Sequence, residues 1–500
     1  MTPPRLPPLQ ALLLALGAFA LYRLTAQDYL FNDGPVLASG AALGGVPNWR
    51  HVLGPWLVRL VQVGLGTRDG VEPWLLVAAA SGAVAVAATA WGLARLGTGR
   101  ATAVLVAILL GLSPALWFHA TTVELHAIHA AAVALLVAVV AALPWGSPRR
   151  STFARCVAAS ALAFGAVHLV HLGTVWVGLG VVALAMCVAA RAGTRRPLAV
   201  WLFVVGPVHL VCSVLALDVS YAIAQGGYVP LGGLRDAAGF REFVAEVRAN
   251  DSALAYVWHD WFLVAPALWV LALLALFRTS TRALALVALA GSVPALVSWS
   301  GMREVSLGGY FLSVAPFLAI GAAAGARSLA ELTGRPRVAT VTLFAAIALH
   351  AVLGYRAVHD DERVREGAIG VARAGDAAVL LPDGGYLLSA SPSYQLVSAR
   401  HPAVIELDVY REVWTADRSG LDPEAVVPAR LPAIAALVAA HAPRLLWDRG
   451  WRGERAEHPE LARFVEPLER LIERSFEFER EERDGREYWR LLGLRAATGG

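Results

Sequence analysis

Long apolar runs recur along the first 355 residues of this 500-residue chain and constrain its fold more than any other feature. Each has about 16–22 residues, enough or nearly enough for a helix to cross the ~30 Å of bilayer hydrocarbon. Charged residues make up only 16% of the chain, against about 25% in an average globular domain. The pattern predicts an α-helical polytopic membrane protein with about eleven transmembrane helices, near 9–25, 74–94, 101–118, 126–143, 155–170, 173–190, 198–217, 256–277, 283–300, 307–326 and 338–355.

The number of membrane spans depends on two apolar segments, 9–25 and 51–66. The run 9–25 has a long apolar core with no small-x-small cleavage site after it, so we interpret it as a retained membrane helix rather than a secretory signal. The segment 51–66 is interrupted by Arg50 and Arg59, and its Gly-Pro pair should break a helix. We expect 51–66 to lie at the membrane surface or to re-enter the bilayer.

Arginine clusters in alternate connections predict the orientation, because cytoplasmic loops carry an excess of basic residues. With eleven helices and the N-terminus inside, every cluster falls on the cytoplasmic side, whereas counting 51–66 as a span would invert everything after it. The sequence therefore predicts the N-terminus inside and the C-terminus outside. The clusters are Arg5; Arg95 and Arg100; Arg149, Arg150 and Arg155; Arg191, Arg195 and Arg196; Arg278 and Arg282; and Arg327, Arg335 and Arg337.

The composition changes sharply near residue 357, which predicts a membrane domain over 1–356 and a soluble extracytoplasmic α/β domain over 357–500. The tail is rich in Glu, Asp and Arg, and short alternating stretches within it predict strands, whereas the helical spacing of Leu, Val and Ala predicts helices. The predicted strands are Ala377–Leu381, Ala403–Leu407, Arg444–Trp447 and Tyr488–Leu492, and the predicted helices are 424–441 and 457–474. The loop 218–255 has the spacing of an amphipathic surface helix.

Polar chemistry collects at the predicted outer ends of the helices, whereas the spans contain almost no charge. An ion-coupled pump usually carries acids or bases near mid-membrane, so this distribution favours an enzyme or receptor that acts at the extracytoplasmic surface. The arginines are used for topology and are not gathered into a groove, so no nucleic-acid role is indicated.

Several of the candidate site residues also fit an ordinary structural role. Asp33, in Asn32-Asp33-Gly34, is also typical of a helix cap. Glu124, which is predicted to open the fourth helix, also fits an ordinary first-turn acid favoured by the helix dipole. Arg303-Glu304 is also consistent with a loop ion pair of little energy.

Two pairs of histidines lie three residues apart in the sequence. His126 and His129 form one pair, and His168 and His171 form the other. This spacing can supply metal ligands, but no acid-rich motif surrounds either pair, so helix packing or an interfacial position is favoured for both.

Four segments, taken in order, resemble the GT-C membrane glycosyltransferases, and in particular the bacterial family grouped with protein O-mannosyltransferases. The stretch Ala377–Tyr394 is also similar to the strand that opens that family's soluble tail. Two departures are present: Pro35-Val36 occupies the place of a second acid often found in the family, and no arginine directly precedes Tyr310. The four segments are Phe31–Gly34, His51–Leu57, Leu112–Trp117 running into Thr122–His126, and Gly309–Leu312 with Pro316.

The resemblance implies a transferase that moves a sugar from a polyprenyl-phosphate donor to an extracytoplasmic acceptor, in the cytoplasmic (inner) membrane of the cell envelope. Asp33 would be the general base and Glu124 a second catalytic acid, with Mg²⁺ or Mn²⁺ as a possible cofactor held by these two carboxylates. Arg303 would stabilise the leaving phosphate. The substrate-binding residues implied are His51, His126, His168, Arg303, Glu304 and Tyr310.

A non-catalytic function remains as the alternative to the transferase. A membrane protein that kept the same fold would transport lipid-linked glycans or act as an assembly partner. Such a protein should tolerate Asp33→Asn, whereas a transferase should lose activity with that change.

Overall fold

The structure of the chain is a computed structural model, in which a bundle of helices precedes a five-stranded mixed sheet. It describes residues 6–27, 37, 41, 53–67, 71–145, 150–171, 173–224, 257–299, 308–359, 378–381, 404–406, 427–442, 445–449, 459–483 and 486–495.

The bundle is built from α-helices that follow the predicted apolar runs. A π-helical segment, Val257–Phe262, and two 3-10 segments, Ala275–Phe277 and Tyr310–Ser313, connect the later helices. The helices are α1 (Pro8–Leu24), α2 (Leu53–Leu65), α3 (Glu72–Arg95), α4 (Arg100–Gly111), α5 (Pro114–Thr121), α6 (His126–Ala142), α7 (Arg150–Val170), α8 (Thr174–Arg191), α9 (Arg196–Ala224), α10 (Pro266–Leu274), α11 (Thr279–Trp299), α12 (Ala315–Thr333) and α13 (Pro336–His359).

The bundle has the character of a membrane protein, as predicted. Among the described helices, six are long and apolar enough to span a bilayer, and the bent pair α4–α5 makes a seventh; α1, α2, α6 and the stretch Pro266–Phe277 are shorter apolar helices. Large apolar side chains face outward from the bundle, such as Phe203, which is 82% exposed, and Leu162, which is 75% exposed. Such a surface suits lipid and is unusual for a protein in water.

Each of the eleven predicted spans overlaps a helix, but four boundaries were wrong. The run 101–118 is divided into α4 and α5, which meet at a 60° bend. The reason is local: the Ser113 hydroxyl accepts a hydrogen bond from the Leu116 amide, and Pro114 occupies the first turn, so a new helix begins there. A Ser-Pro pair is a helix-start signal that was present in the sequence.

The remaining corrections concern helix ends. The predicted span 256–277 is a π-helical segment followed by the short α10, and the predicted span 307–326 begins as a 3-10 turn and continues as α12 to Thr333. Helix α9 continues to Ala224, so the predicted loop 218–255 begins later; its residues 225–255 lie outside the described part.

The Gly-Pro pair at 54–55 does not break α2, contrary to the prediction. It lies in the first turn of the helix, where proline loses no hydrogen bond. With 13 residues α2 is about 20 Å long, shorter than the hydrocarbon layer.

Glycines allow several helices to approach closely in the bundle interior. Gly325 of α12 lies directly against the backbone of Leu271 in α10, with no room for a Cβ atom. Gly180 of α8 and Gly291 of α11 meet in the same way. Small residues at such crossings give the helix packing that replaces hydrophobic driving force inside a bilayer.

A buried histidine joins three helices of the bundle. His350 of α13 bonds through Nδ1 to the Leu109 carbonyl oxygen of α4 at 2.8 Å. Its Nε2 accepts a hydrogen bond from the Ala267 amide of α10 at 3.2 Å. Since Nε2 is an acceptor, Nδ1 carries the proton, and the ring is held as a neutral crosslink.

Several arginine-bearing turns meet at one end of the bundle, which we call the arginine-rich end (Arg95, Arg100, Arg191, Arg278 and Arg327). Arg191 donates to the Leu96 carbonyl oxygen at 3.1 Å, and Arg278 donates to the Glu331 carbonyl oxygen at 3.1 Å. The Ser280 hydroxyl at 2.5 Å and the Arg327 guanidinium at 2.8 Å hold the pKa of the Glu331 carboxyl below its usual range. That this end is cytoplasmic remains a prediction.

The C-terminal sheet agrees with the predicted α/β class. Its strands are β1 (Ala378–Leu381), β2 (Val404–Glu406), β3 (Leu445–Asp448), β4 (Phe476–Arg483) and β5 (Arg486–Leu494), and its helices are α14 (Leu431–His441) and α15 (Pro459–Ser475). The order is β2-β1-β3-β5-β4. β1 runs parallel to β2 and β3, whereas β5 runs antiparallel to β3 and β4, with Trp447 opposite Trp489.

Strand β4 was missed from the sequence. Its residues Phe476-Glu477-Phe478-Glu479 alternate apolar and acidic side chains, which is a strand pattern, but the high charge and the helical spacing just before it obscured the signal. It lies at the edge of the sheet, where charged side chains are expected.

A buried ion pair ties β3 to α15 in the same domain. Arg449 donates from Nε to Glu469 at 3.0 Å, and both side chains are almost fully buried. Arg449 also pairs with Glu487 and lies over the Trp489 ring, 4.2 Å from its centroid.

Candidate functional site

Aromatic and histidine rings from three separate turns meet at the end of the bundle opposite the arginine-rich end. His126 opens α6, His171 follows α7, and Tyr310 lies in the 3-10 turn before α12. The His126 ring centroid is 5.3 Å from that of His171 and 5.4 Å from that of Tyr310. The His171 and Tyr310 centroids are 5.9 Å apart. The bundle thus joins two of the predicted substrate-binding residues, His126 and Tyr310.

Two further histidines extend this group, which we call the histidine cluster (His119, His126, His129 and His171). The His119 ring, at the end of α5, is 4.9 Å from the His126 ring. His129 stacks on His171 with a centroid distance of 4.8 Å. All four rings are buried. A buried group of imidazoles is costly in an apolar bundle unless each is hydrogen bonded or adjoins a wet site.

The hydrogen bonds show whether one ring nitrogen of His129 and one of His171 donates or accepts. The Thr174 hydroxyl lies 2.8 Å from the His171 carbonyl oxygen and 3.1 Å from that of Val167, so its proton goes to a carbonyl. His129 Nε2, at 3.0 Å from the same hydroxyl, must then be the donor. The Gly173 amide donates to His171 Nδ1 at 2.9 Å, so that nitrogen is an acceptor.

Glu124 lies in the turn between α5 and α6, two residues before His126. Its side chain is buried, at 2% exposure, and Oε2 accepts a hydrogen bond from the Leu125 amide at 3.2 Å. It precedes the helix rather than opening it, because α6 begins at His126. A carboxylate this deeply buried, two residues before His126 in the chain, is the kind of group found in catalytic sites, although structural networks also contain such groups.

The histidine cluster leaves no room for a larger residue at Gly309. A Cβ atom added there would lie 2.5 Å from both Cδ2 and Nε2 of His126. The backbone before α12 therefore rests directly on the imidazole face, and this contact fixes the position of the Tyr310 turn against α6.

The chain on either side of Asp33 is anchored beside Glu124, although Asp33 itself lies outside the described residues. On one side the Gln27 amide donates to the Thr121 carbonyl oxygen at 2.8 Å. On the other side, Leu37 packs in one apolar cluster with Val123 and Leu125, the neighbours of Glu124. The Leu37 carbonyl oxygen also accepts a hydrogen bond from the Trp74 indole at 3.0 Å.

The structure describes one of the four other predicted substrate-binding residues, His168. His51, Arg303 and Glu304 lie outside the described residues. His168 is placed elsewhere: it faces α9, with Nε2 3.2 Å from the Ser213 hydroxyl and its ring 5.1 Å from that of His209. Its predicted role in substrate binding therefore has no support from contact with the cluster.

Sequence reasoning missed His119 and favoured only packing for His129 and His171. The histidine cluster and Tyr310 come from parts of the chain separated by up to about 190 residues, so local spacing within any one of them carries little signal. The i, i+3 spacing of His126 and His129 was the one available clue, since it puts both on one face of α6.

A metal site is not formed by the described residues alone. No three His, Cys, Asp or Glu side chains among them converge in an arrangement that could hold an ion. Of the predicted metal ligands Asp33 and Glu124, only Glu124 lies in the described part of the chain.

Comparison with solved structures relates the whole chain to two membrane glycosyltransferases. ArnT from Cupriavidus metallidurans, in a crystal structure bound to undecaprenyl phosphate, is 15% identical, with a TM-score of 0.50 over 98% of each chain. The Archaeoglobus fulgidus oligosaccharyltransferase, tethered with an acceptor peptide containing the NVT sequon, is 10% identical, with a TM-score of 0.53 over 98% of this chain and 74% of that one.

Sequence comparison alone does not reach these proteins. No protein-family model matches the chain, and no curated protein matches it by sequence. At identities this low the structural similarity demonstrates the fold and not the activity. The similarity extends over the bundle and the C-terminal sheet, and the polytopic membrane protein described here has the fold of these two solved structures.

Proposed function

We propose that this protein is an integral-membrane glycosyltransferase that moves a sugar from a polyprenyl-phosphate donor to an extracytoplasmic acceptor. The main support is the fold, which is that of ArnT over 98% of both chains. A buried site of one carboxylate, several imidazoles and a phenol at one end of the bundle agrees with this activity.

The donor is inferred from the chemistry of such a site. ArnT was crystallised with undecaprenyl phosphate, a polyprenyl phosphate. In a donor of this class the lipid would lie along the apolar helices while the sugar reaches the polar end. Mannosyl transfer, which the family resemblance implies, is one option in the panel of polyprenyl-phosphate sugars tested below.

Asp33 is the proposed general base. The acceptor hydroxyl forms a bond to the anomeric carbon as the bond from that carbon to the phosphate oxygen breaks, and the hydroxyl proton passes to the Asp33 carboxylate. Asp33 is four residues from Leu37, which limits it to ~14 Å of extended chain from that anchor. Leu37 in turn packs beside the neighbours of Glu124, which supports placing both acids in one site.

Glu124, His126 and Tyr310 are proposed to orient the acceptor and the sugar. They belong to turns held by backbone and ring contacts, so their positions are defined before substrate binds. A fixed set of donors and acceptors of this kind lowers the barrier by avoiding reorganisation during the reaction.

Arg303 is the proposed partner of the leaving phosphate. It lies five residues before Gly308, where the described chain resumes beside the histidine cluster. A guanidinium binds phosphate oxygens through two parallel hydrogen bonds, which suits the charge that develops as the sugar leaves. His51 and Glu304 are assigned to the same substrate-binding region by sequence alone.

Binding of Mg²⁺ or Mn²⁺ by Asp33 and Glu124 stays a prediction, because Asp33 lies outside the described residues. The proposal also places the protein in the cytoplasmic membrane, with the division at residues 356–357 and the C-terminal domain outside.

The test is a transfer assay on the full-length protein in lipid nanodiscs with a panel of polyprenyl-phosphate sugars. We expect Asp33→Asn to lower turnover by about 10²–10⁴-fold while donor binding is retained. Glu331→Gln is the matched control, because Glu331 is an acid at the opposite end of the bundle and should not affect turnover.

Two outcomes would refute the proposal in different ways. Turnover unchanged in Asp33→Asn would exclude this residue as the base. Equal binding of lipid-linked sugars by both proteins, with no turnover of any donor by the wild type, would favour transport or an assembly role.

A further inference from the structure

A cavity opens at the arginine-rich end of the bundle, remote from the histidine cluster. Its volume is about 280 Å³, and it lies between the α3–α4 turn, the end of α8, α12 and the start of α13. We call it the arginine-end cavity; its walls include Thr98, Thr102, Arg191, Leu284, Arg327 and Thr340. Helix α8 runs from Thr174, whose hydroxyl contacts His129, to Arg191 in the cavity wall, so the two sites are about 26 Å apart.

The charged groups in the cavity wall are all cationic. Arg191 and Arg327 line it, and none of the lining residues is acidic. Arg191 is held by its bond to the Leu96 carbonyl oxygen, and Arg327 pairs through Nε with Glu331 at 2.8 Å. A guanidinium carries five N–H donors, so each retains donors beyond these bonds. Glu331, which lies outside the wall, offsets part of this charge.

The backbone adds to the same preference for an anion. Helix α4 begins at Arg100 after Gly99, which has no side chain to cap the first amides. The partial positive charge of a helix N-terminus favours an anion there. Gly97, with φ of 84°, makes the tight turn that brings this helix start to the cavity. The hydroxyls of Thr98, Thr102 and Thr340 supply neutral hydrogen-bond donors.

The remaining wall is apolar. Leu96, Leu284 and Leu343 line the cavity together with alanines of α12. A small soluble anion would leave this half without a complementary partner, whereas a ligand with an anionic head and an apolar body would contact both halves. The cavity also lies near the ends of helices that are long and apolar enough to span a bilayer.

We propose that the arginine-end cavity binds the phosphate of an anionic phospholipid from the leaflet at the arginine-rich end. Basic cavities between transmembrane helices are suited to such headgroups. This is a second lipid site, about 26 Å from the one proposed for the glycosyl donor. It ties the α3–α4, α8–α9 and α12–α13 connections together, so the lipid stabilises the bundle.

The test measures stabilisation of the full-length protein in a neutral detergent. Short-chain phosphatidylglycerol is titrated and the shift in Tm is followed, with short-chain phosphatidylcholine and inorganic phosphate as comparisons. We expect a saturating increase in Tm with phosphatidylglycerol at concentrations at which the other two give none. Arg327→Gln should weaken apparent binding about tenfold, the expected effect of losing one charge-assisted hydrogen bond.

Two further variants separate the site from general charge and from misfolding. Ala330→Leu fills part of the cavity while keeping both arginines, and should also weaken phosphatidylglycerol binding. Arg337→Gln is the matched control, since Arg337 is an exposed arginine at the same end that does not line the cavity. It should bind like the wild type.

Three results would overturn the proposal. Equal stabilisation by phosphatidylcholine would show that the charge is not recognised. Inorganic phosphate as effective as phosphatidylglycerol would show that the ligand is a soluble anion. A loss in Arg337→Gln as large as that in Arg327→Gln would show diffuse attraction rather than a site.

Discussion

The contact between Gly309 and His126 leads to the most direct prediction about the candidate site. The backbone angles at Gly309, φ −54° and ψ −51°, are ordinary for any residue, so nothing in the local conformation opposes alanine. Only the position of the Cβ atom does. It would lie 2.5 Å from His126 Cδ2 and Nε2, whereas ordinary van der Waals contact begins at 3.4 Å.

The size of the expected effect follows from this overlap. The Tyr310 turn and the imidazole must separate by about 0.9 Å in Gly309→Ala, the difference between 3.4 and 2.5 Å. The ring cannot move away freely, because His119, His171 and Tyr310 surround it. A misplacement of about 1 Å in a catalytic site can cost about 10²-fold in rate. Overpacking costs about 1–3 kcal/mol in stability.

We therefore expect Gly309→Ala to remain folded, with a modest decrease in Tm, and to lose about 10²-fold in sugar transfer. The assay is the transfer reaction in nanodiscs, with Tm measured on the same preparation. Gly206→Ala in α9 is the control, because a Cβ atom there has no neighbour within 4 Å. It should match the wild type in activity.

A double-mutant cycle shows whether His126 is the cause. If the collision is with the ring, Gly309→Ala should have little further effect on Tm in a His126→Ala background. Additive effects on Tm, or full activity in Gly309→Ala, would refute the reasoning.

Three further predictions concern stability. Arg449→Met should destabilise the C-terminal domain by about 3–5 kcal/mol, measured by protease protection, because the buried Glu469 carboxylate loses the cation with which it pairs. Glu469→Gln should lower the stability of the domain by less. His350→Phe should cost about 1–3 kcal/mol for each backbone group that loses its partner, visible as a lower Tm. The lowered pKa of Glu331 means that its contribution to stability is present above the ordinary carboxyl pKa and is lost as pH falls through the folded pKa. The Tm difference between wild type and Glu331→Gln should therefore shrink on acidification; a constant difference would contradict this.

Local patterns in the sequence predicted most elements of the fold, and the errors have local causes too. The apolar runs located the helices because a membrane helix must satisfy its own backbone within one continuous segment. The bend at Ser113-Pro114 and strand β4 were misjudged where a stronger signal, hydrophobicity in one case and charge in the other, outweighed a weaker one. Both weaker signals were visible in the residues themselves.

The residues of the candidate site were likewise predicted only in part from the sequence. Glu124, His126 and Tyr310 were identified by their resemblance to family segments, and the bundle joins His126 to Tyr310 in space. His119, His129 and His171 became part of the same group only through packing of distant turns. His168 lies three residues before His171, but its ring faces Ser213 of α9 and not the histidine cluster.

The sequence by itself determined the class of this protein, a helical membrane bundle followed by an α/β tail. These properties follow from hydrophobicity and periodicity, which act over a few residues at a time. Only the tertiary structure decided which polar side chains face one another, and it alone formed the histidine cluster and the arginine-end cavity. The physical reason is that such sites are made where separate helices end together, and helix packing depends on the shapes of all the surfaces in contact.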